Sequence, residues 1–133
     1  MAGLTASAFT SVSLDPPLIL VCIDSRSRSV DVLRETRRFA VHILRADQEQ
    51  VARSFAQRGA GKLKDVAFVW SRREVPTLQS YLVLLECDLV AEYDGGDHGI
   101  FLGRVARLDV PETVADPLTC FRGQLGALRR AGA

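Results

Sequence analysis

One of only two histidines in the chain stands in Tyr93-Asp94-Gly95-Gly96-Asp97-His98-Gly99, between an aspartate and a glycine. An imidazole titrates close to neutral pH, and a neighbouring carboxylate orients the ring or raises its pKa. The plainer alternative is a tolerant loop residue, with Asp94 and Asp97 acting only as turn formers. A second cluster is Asp24-Ser25-Arg26-Ser27-Arg28-Ser29, placed between a predicted strand end and a predicted helix start. Hydroxyls, two guanidinium groups and free helix N-terminal amides suit a phosphate. A capped helix beside a solvated loop accounts for one serine but not for the arginines. A third cluster is Thr5, Ser7, Thr10, Ser11 and Ser13. On a continuous strand Thr5, Ser7, Ser11 and Ser13 share one face, opposite Ala6, Ala8, Val12 and Leu14. That hydroxyl face is either a solvated sheet surface or a platform for a flat polar ligand.

Motifs that would own acid-base or nucleophilic chemistry do not occur: there is no GxSxG, no HExxH, no Cys-His signature and no clear carboxylate pair at a strand end. GxGxxG and GxxxxGK[ST] are missing as well. A reaction whose difficult step belongs to a bound cofactor asks the protein only to bind and orient, and hydride transfer through a flavin is one such reaction. His42, in Phe39-Ala40-Val41-His42-Ile43-Leu44, reads as a buried, hydrogen-bonded histidine. No second His or Cys lies near either histidine in sequence, so no metal site is expected.

Composition narrows the partners. A formal charge of +1 with 25% charged residues produces no field that would select nucleic acid or an anionic membrane. No apolar run reaches the roughly 20 residues that cross a bilayer, and the first residues lack the regions of a signal peptide, so a cytoplasmic protein is expected. Cys22, Cys87 and Cys120 are odd in number and widely spaced, which points to reduced thiols.

The elements that must position these residues are mostly strands. Ala2–Leu14 and Leu18–Asp24 are predicted as strands joined by a bend at Pro16-Pro17. The run Leu18 to Ile23 is apolar on both faces, which suits a core on one side and a ligand or subunit on the other. An amphipathic helix follows, with Ser27 or Ser29 as N-cap and Asp31 near its start. After the Phe39–Leu44 strand comes a second helix, with Asp47 and Gln50 as a capping box and Gly59 as terminator, then a polar loop from Ala60 to Val66. Strands at 67–70, 81–93 and 99–110, with a turn near Pro76 and a glycine hairpin, complete a single domain over residues 1–133. Many strands with two short helices predict a mainly β fold, a barrel carrying helices at its edges.

Three stretches, in order, are GLTASAFTSVSLDPPLILVCIDSRSRSVDVL, FAVHILRADQEQVARSFA and LECDLVAEYDGGDHGIFLGRV, with an echo in PLTCFRG. Together they resemble the short-chain flavin reductases, the reductase components of two-component flavin monooxygenases, from about Gly3 to Leu108. The resemblance implies an FMN-binding split β-barrel of Greek-key-like topology and a homodimer. It also implies hydride transfer from NADH or NADPH to FMN, with FAD as an alternative flavin, and a separate oxygenase that receives the reduced flavin. A tightly bound FMN used for electron transfer or storage without nicotinamide is the other activity this barrel supports. By position, Thr5, Ala6, Ser7, Ala8 and Phe9 would lie along the isoalloxazine, Ala8 standing where the family often has serine. Cys22, Ile23, Asp24, Ser27 and Ser29 would hold the ribityl chain and phosphate, helped by Arg26 and Arg28. His42 occupies a flavin-side position where asparagine is usual. Gly96, Asp97, His98 and, from the C-terminal FRG, Arg122 would bind the nicotinamide nucleotide, His98 orienting it. Family members carry about one helix and one strand ahead of the segment that starts here at Met1. An open sheet edge, weak flavin binding and aggregation are therefore expected unless a dimer partner covers the edge.

Overall fold

A computed structural model describes residues 1–57, 66–129 and 131–132 of the chain. In chain order the elements are β1 (Phe9–Leu14), β2 (Pro17–Asp24), α1 (Arg28–Thr36), β3 (Arg38–Ile43), a 3-10 turn at Ala46–Gln48 and α2 (Glu49–Ala56). They continue with β4 (Phe68–Trp70), β5 (Pro76–Leu78), β6 (Val83–Gly95), β7 (His98–Asp109), β8 (Leu118–Phe121) and β9 (Gln124–Ala127).

Five strands form one antiparallel sheet in the order β1-β2-β7-β6-β3. The long β6–β7 hairpin is its spine, and β2 and β3 flank it although they are distant from it in sequence, which is Greek-key pairing. The fold is thus mainly β with two short helices, as the patterning and the resemblance predict. Strands β4–β5 and β8–β9 are separate two-stranded ribbons. The latter is tied on through Ala46 N–H to Asp116 O and Leu118 N–H to Leu44 O, both 2.8 Å.

Alternation decides which face is core. Ile19, Val21 and Ile23 of β2 are buried, while Leu18, Leu20 and Cys22 between them are half-buried on the other side. Val30 and Leu33, three apart on α1, close the buried face against Val21, Ile23, Leu89 and Phe101, with Leu4, Phe9, Phe39 and Val41 packed around them. Gly103 lets this happen: a Cβ at that position would stand 2.5 Å from the Phe39 ring.

Several local expectations change. The first strand starts at Phe9, not Ala2; Thr5 to Ala8 precede it, with a bend at Ser7, whose carbonyl accepts the Phe9 amide at 3.1 Å. Ser7, Ser11 and Ser13 do not share a face, because a bulge between Ser11 and Ser13 pairs Ser13 with Leu18 and turns it to the side of Thr10 and Leu20. Asp47 and Gln50 make no capping box; Gln48 does that work, its Oε1 accepting the Arg45 amide at 2.9 Å. The turn expected near Pro76 is present at residues 72–74, where the Glu74 amide donates to Ser71 O at 3.0 Å, and Pro76 itself begins β5, whose first position needs no N–H from it. Helix α2 stops at Ala56; the expected terminator Gly59 and the loop residues 60–65 lie outside the described residues.

Candidate functional site

The register of the sheet brings two of the clusters together. Asp24, the last residue of β2, pairs with His98, the first of β7. One residue on, the Ser25 amide donates to Asp97 O at 3.0 Å. The loop from Asp24 to Ser29 is thereby sewn to the hairpin tip. Gly95 pairs with His98 across a two-residue turn, and Gly96, at φ +78°, supplies the conformation that a II′ turn requires at its first central position. Asp94 is a turn former in fact, its Oδ1 accepting the Gly96 amide at 3.2 Å. Asp97 is different: its Oδ1 lies 2.7 Å from His98 Nδ1. With Nδ1 held by that carboxylate, Nε2 is the ring atom left for a ligand.

The second half of the site is built by local hydrogen bonds. Ser27 is the N-cap of α1, its hydroxyl accepting the Ser29 amide at 3.2 Å. Asp24 is gripped by Arg26: the backbone amide and Nε reach Oδ1 at 2.9 and 3.1 Å, and Nη2 reaches Oδ2 at 2.9 Å. The Arg26 guanidinium and amide hold the Asp24 carboxyl well below the usual carboxylate range. Arg26 itself is largely exposed, so this pair shapes the loop more than it stabilises the fold. Arg28 is exposed at the first position of α1, where backbone amides have no intrahelical acceptor.

Residues 5–9 run beside the same strand end. The Cys22 amide donates to Ala8 O at 3.0 Å, and Phe9 pairs with Val21. Ala6, Ser7 and Ala8 are exposed, while the Thr5 hydroxyl donates to Ala52 O at 2.6 Å and so anchors this segment to α2. Ala8, Phe9, Cys22, Ile23, Asp24, Ser27, Ser29, Asp97 and His98 therefore belong to one region. On the outer face the pairs Cys22–Ile100 and Leu20–Leu102 continue the region as a half-buried apolar strip next to Asp24 and His98. Ile100 and Leu102 escaped the reading of single motifs, although their alternation with Phe101 and Gly103 in GIFLGRV carries the signal.

His42 and Arg122 are not gathered there. His42 pairs with Leu84, whose partner on β7 is Asp109, at the far end of the hairpin from His98. Its Nε2 accepts the Leu78 amide at 3.0 Å and its ring faces Tyr81. Arg122 sits at the tip of the β8–β9 hairpin, its guanidinium 5.3 Å over the Phe121 ring. Burial pushes the His42 pKa down to about 4. The imidazole is neutral in the folded chain but takes a proton in the unfolded chain below pH 6.5, so stability is lost as pH falls from 6.5 towards 4. The loss should reach about 3 kcal/mol, measured as urea midpoints across that window, and His42→Gln should flatten the slope.

The Flavin reductase like domain family model matches residues 1–129. The chain belongs to this family. An NADH-dependent flavin reductase of a Rhodococcus species is 45% identical over 131 residues, covering 98% of this chain and 72% of that protein. The reductase component of a 4-nitrophenol 4-monooxygenase/4-nitrocatechol 2-monooxygenase from Rhodococcus opacus is 37% identical, covering 93% of this chain and 65% of that one. Among solved structures, the NADH:FAD oxidoreductase of Streptomyces globisporus in complex with NAD and FAD fragments superposes with a TM-score of 0.91 at 32% identity, over 99% of this chain and 80% of that chain. This flavin reductase-like chain has no described helix long and apolar enough to cross a membrane.

Proposed function

We propose that the chain is an NAD(P)H-dependent flavin reductase that passes a hydride to FMN and supplies reduced flavin to a separate monooxygenase. The observation that carries the proposal is the Asp24–His98 pair, which sets a loop suited to phosphate against an oriented histidine on one strand end. The residues fit a flavin: Ala6, Ser7 and Ala8 present small, exposed side chains over which a flat ring reaches the backbone, and the start of α1 offers amides and Arg28. When bound, the flavin supplies the hydride acceptor. Thr5 to Phe9 and Cys22 to Asp24 would orient its ring and ribityl chain, and Ser27, Ser29 and Arg28 its phosphate. Gly96, Asp97 and His98 would place the nicotinamide beside it. His98 acts here by orientation, since hydride transfer to a flavin needs no proton from it. FAD is accommodated by the same reading if its adenylate stays outside.

Relatives named as reductase components of monooxygenases support an oxygenase partner. The apolar strip of Leu20, Cys22, Ile100 and Leu102 supports a homodimer that covers it. Flavin-loaded protein eluting from a sizing column as a monomer would remove the dimer from this reading. Within the proposal His42 serves the fold and not the flavin, Arg122 would need to reach the nucleotide from its hairpin tip, and the reaction runs in the cytoplasm as one domain over residues 1–133.

The deciding experiment is titration with FMN under anaerobic conditions, followed by NADH and then NADPH. Rapid bleaching of the flavin absorbance is expected. Flavin that binds but does not bleach with either donor would leave a flavoprotein without nicotinamide-dependent activity and overturn the proposal.

A further inference from the structure

The register that sets Asp24 against His98 also brings an aromatic ring beside them. On β6, Tyr93 pairs with Ile100, which pairs in turn with Cys22 on β2. Residues directly across a ladder share a face, and so do residues two apart on one strand. Tyr93 therefore stands on the face that carries His98, Ile100, Cys22 and Asp24. It is the diagonal neighbour of His98, at about 7–8 Å along the sheet and within reach of an aromatic side chain. No irregularity intervenes, because the nearest bulge of the β6–β7 pair lies between Leu89 and Ala91. From Asp24–His98 to Leu20–Leu102, Tyr93 carries the one phenyl ring on that face of β2, β7 and β6.

Tyr93 is 56% exposed, and among the described residues its ring and hydroxyl meet no hydrogen-bond, charge or ring partner. The base beside it is apolar: Ile100 leans over Gly95, so that a Cβ there would stand 3.0 and 3.3 Å from Ile100 Cγ1 and Cδ1. The hairpin end thus offers a flat apolar base with an imidazole on one side, its Nδ1 held by Asp97, and an unengaged phenol ring on the other. The two rings restrain a ligand differently. One hydrogen bond from Nε2 fixes an edge and leaves the ligand's plane free to tilt. Hydride transfer needs the plane fixed too, since donor and acceptor atoms must come within about 3–3.5 Å with their orbitals aligned. Packing against an aromatic ring supplies that restraint.

We propose that Tyr93 is a further binding residue for the hydride donor: its ring packs against the nicotinamide ring while His98 Nε2 holds that ring's edge. The inference rests on the flavin reductase reading and deepens it. With the flavin over Ala8 and Cys22, Tyr93 flanks Ile100 from the opposite side, and the nicotinamide lies between the two. The phenol hydroxyl takes no part, so the contact belongs to the ring alone.

The parent chain is first loaded with FMN and mixed anaerobically with NADH; bleaching there tests the reductase reading, and the variants then test Tyr93. Tyr93→Ala should raise the KM for NADH by about tenfold, the scale of one ring-stacking contact, with the FMN dissociation constant unchanged. Tyr93→Phe keeps the ring and should match the parent in both. Reduced nicotinamide mononucleotide, which lacks the adenylate, should show the same loss with Tyr93→Ala. Binding is also read without turnover. The chain has two tyrosines, and Tyr81 is held by Asp109 at the far end of the hairpin. In the FMN-loaded chain, oxidised nicotinamide mononucleotide should therefore shift the NMR ring signals of Tyr93 and leave those of Tyr81 in place. An unchanged KM in a folded Tyr93→Ala variant, a loss with NADH but not with the mononucleotide, or an unmoved Tyr93 signal overturns the proposal and leaves flavin reduction standing. A parent chain that does not bleach overturns the reductase reading and this inference with it.

Discussion

His98→Ala should raise the KM for the nicotinamide nucleotide by about ten- to a hundredfold while leaving the FMN dissociation constant within about twofold. The magnitude is that of a lost hydrogen bond to an oriented, charge-assisted group. The selectivity follows from geometry. His98 projects from the hairpin start with Nδ1 held by Asp97, whereas the elements proposed for the flavin, Ala8, Cys22 and the start of α1, make their backbone hydrogen bonds without the imidazole. The Asp24–His98 ladder is formed by backbone and survives truncation of the side chain. Steady-state kinetics at saturating FMN, paired with a fluorescence titration of FMN, would check this. A variant that loses FMN while keeping its KM for NADH would move His98 to the flavin and undo the assignment.

Phe101→Ala should destabilise the fold by about 3–5 kcal/mol, the range for emptying a buried aromatic site. Phe101 is wholly buried at the centre of the cluster formed by Val21, Ile23, Val30, Leu33 and Leu89. It joins four elements, β2, α1, β6 and β7, so its loss cannot be absorbed by movement of one. The site should suffer as well, because Phe101 is three residues from His98 on β7, pairs with Val21 and packs beneath α1, whose first turn ends the loop. Urea unfolding should show a lower midpoint with an unchanged m-value, and flavin should partly restore it by mass action. A midpoint within the error of the parent chain would mean that the sheet closes the cavity by a shift the present packing does not suggest.

Much of the β architecture was legible because apolar runs of strand length bounded by turn residues are a local signal. Leu18–Ile23 is apolar on both faces between Pro17 and Asp24, Val83–Tyr93 and Ile100–Asp109 are strand-length and rich in apolar residues, and the glycines between the last two announce a hairpin. Ser27 was readable as a cap because capping is settled within three residues. A bulge after Ser11 and a strand start at Phe9 depend on which chain lies alongside, and no window of a few residues contains that chain. Thr5 illustrates it: its hydroxyl looked available for a ligand, yet its acceptor is Ala52, 47 residues away.

By itself the sequence determined that a flavin reductase-like β domain was to be expected and which of its segments had chemistry to offer. Side-chain type and local periodicity suffice for that. Only the tertiary structure decided that Asp24 lies opposite His98 while His42 lies at the other end of the hairpin. It alone decided that the buried Glu86 meets Arg107 across the β6–β7 pair. The physical reason is strand register: it is set by the sum of many weak pairings along β2, β7, β6 and β3, and a slip of one residue in any pair would turn each of these side chains to the opposite face.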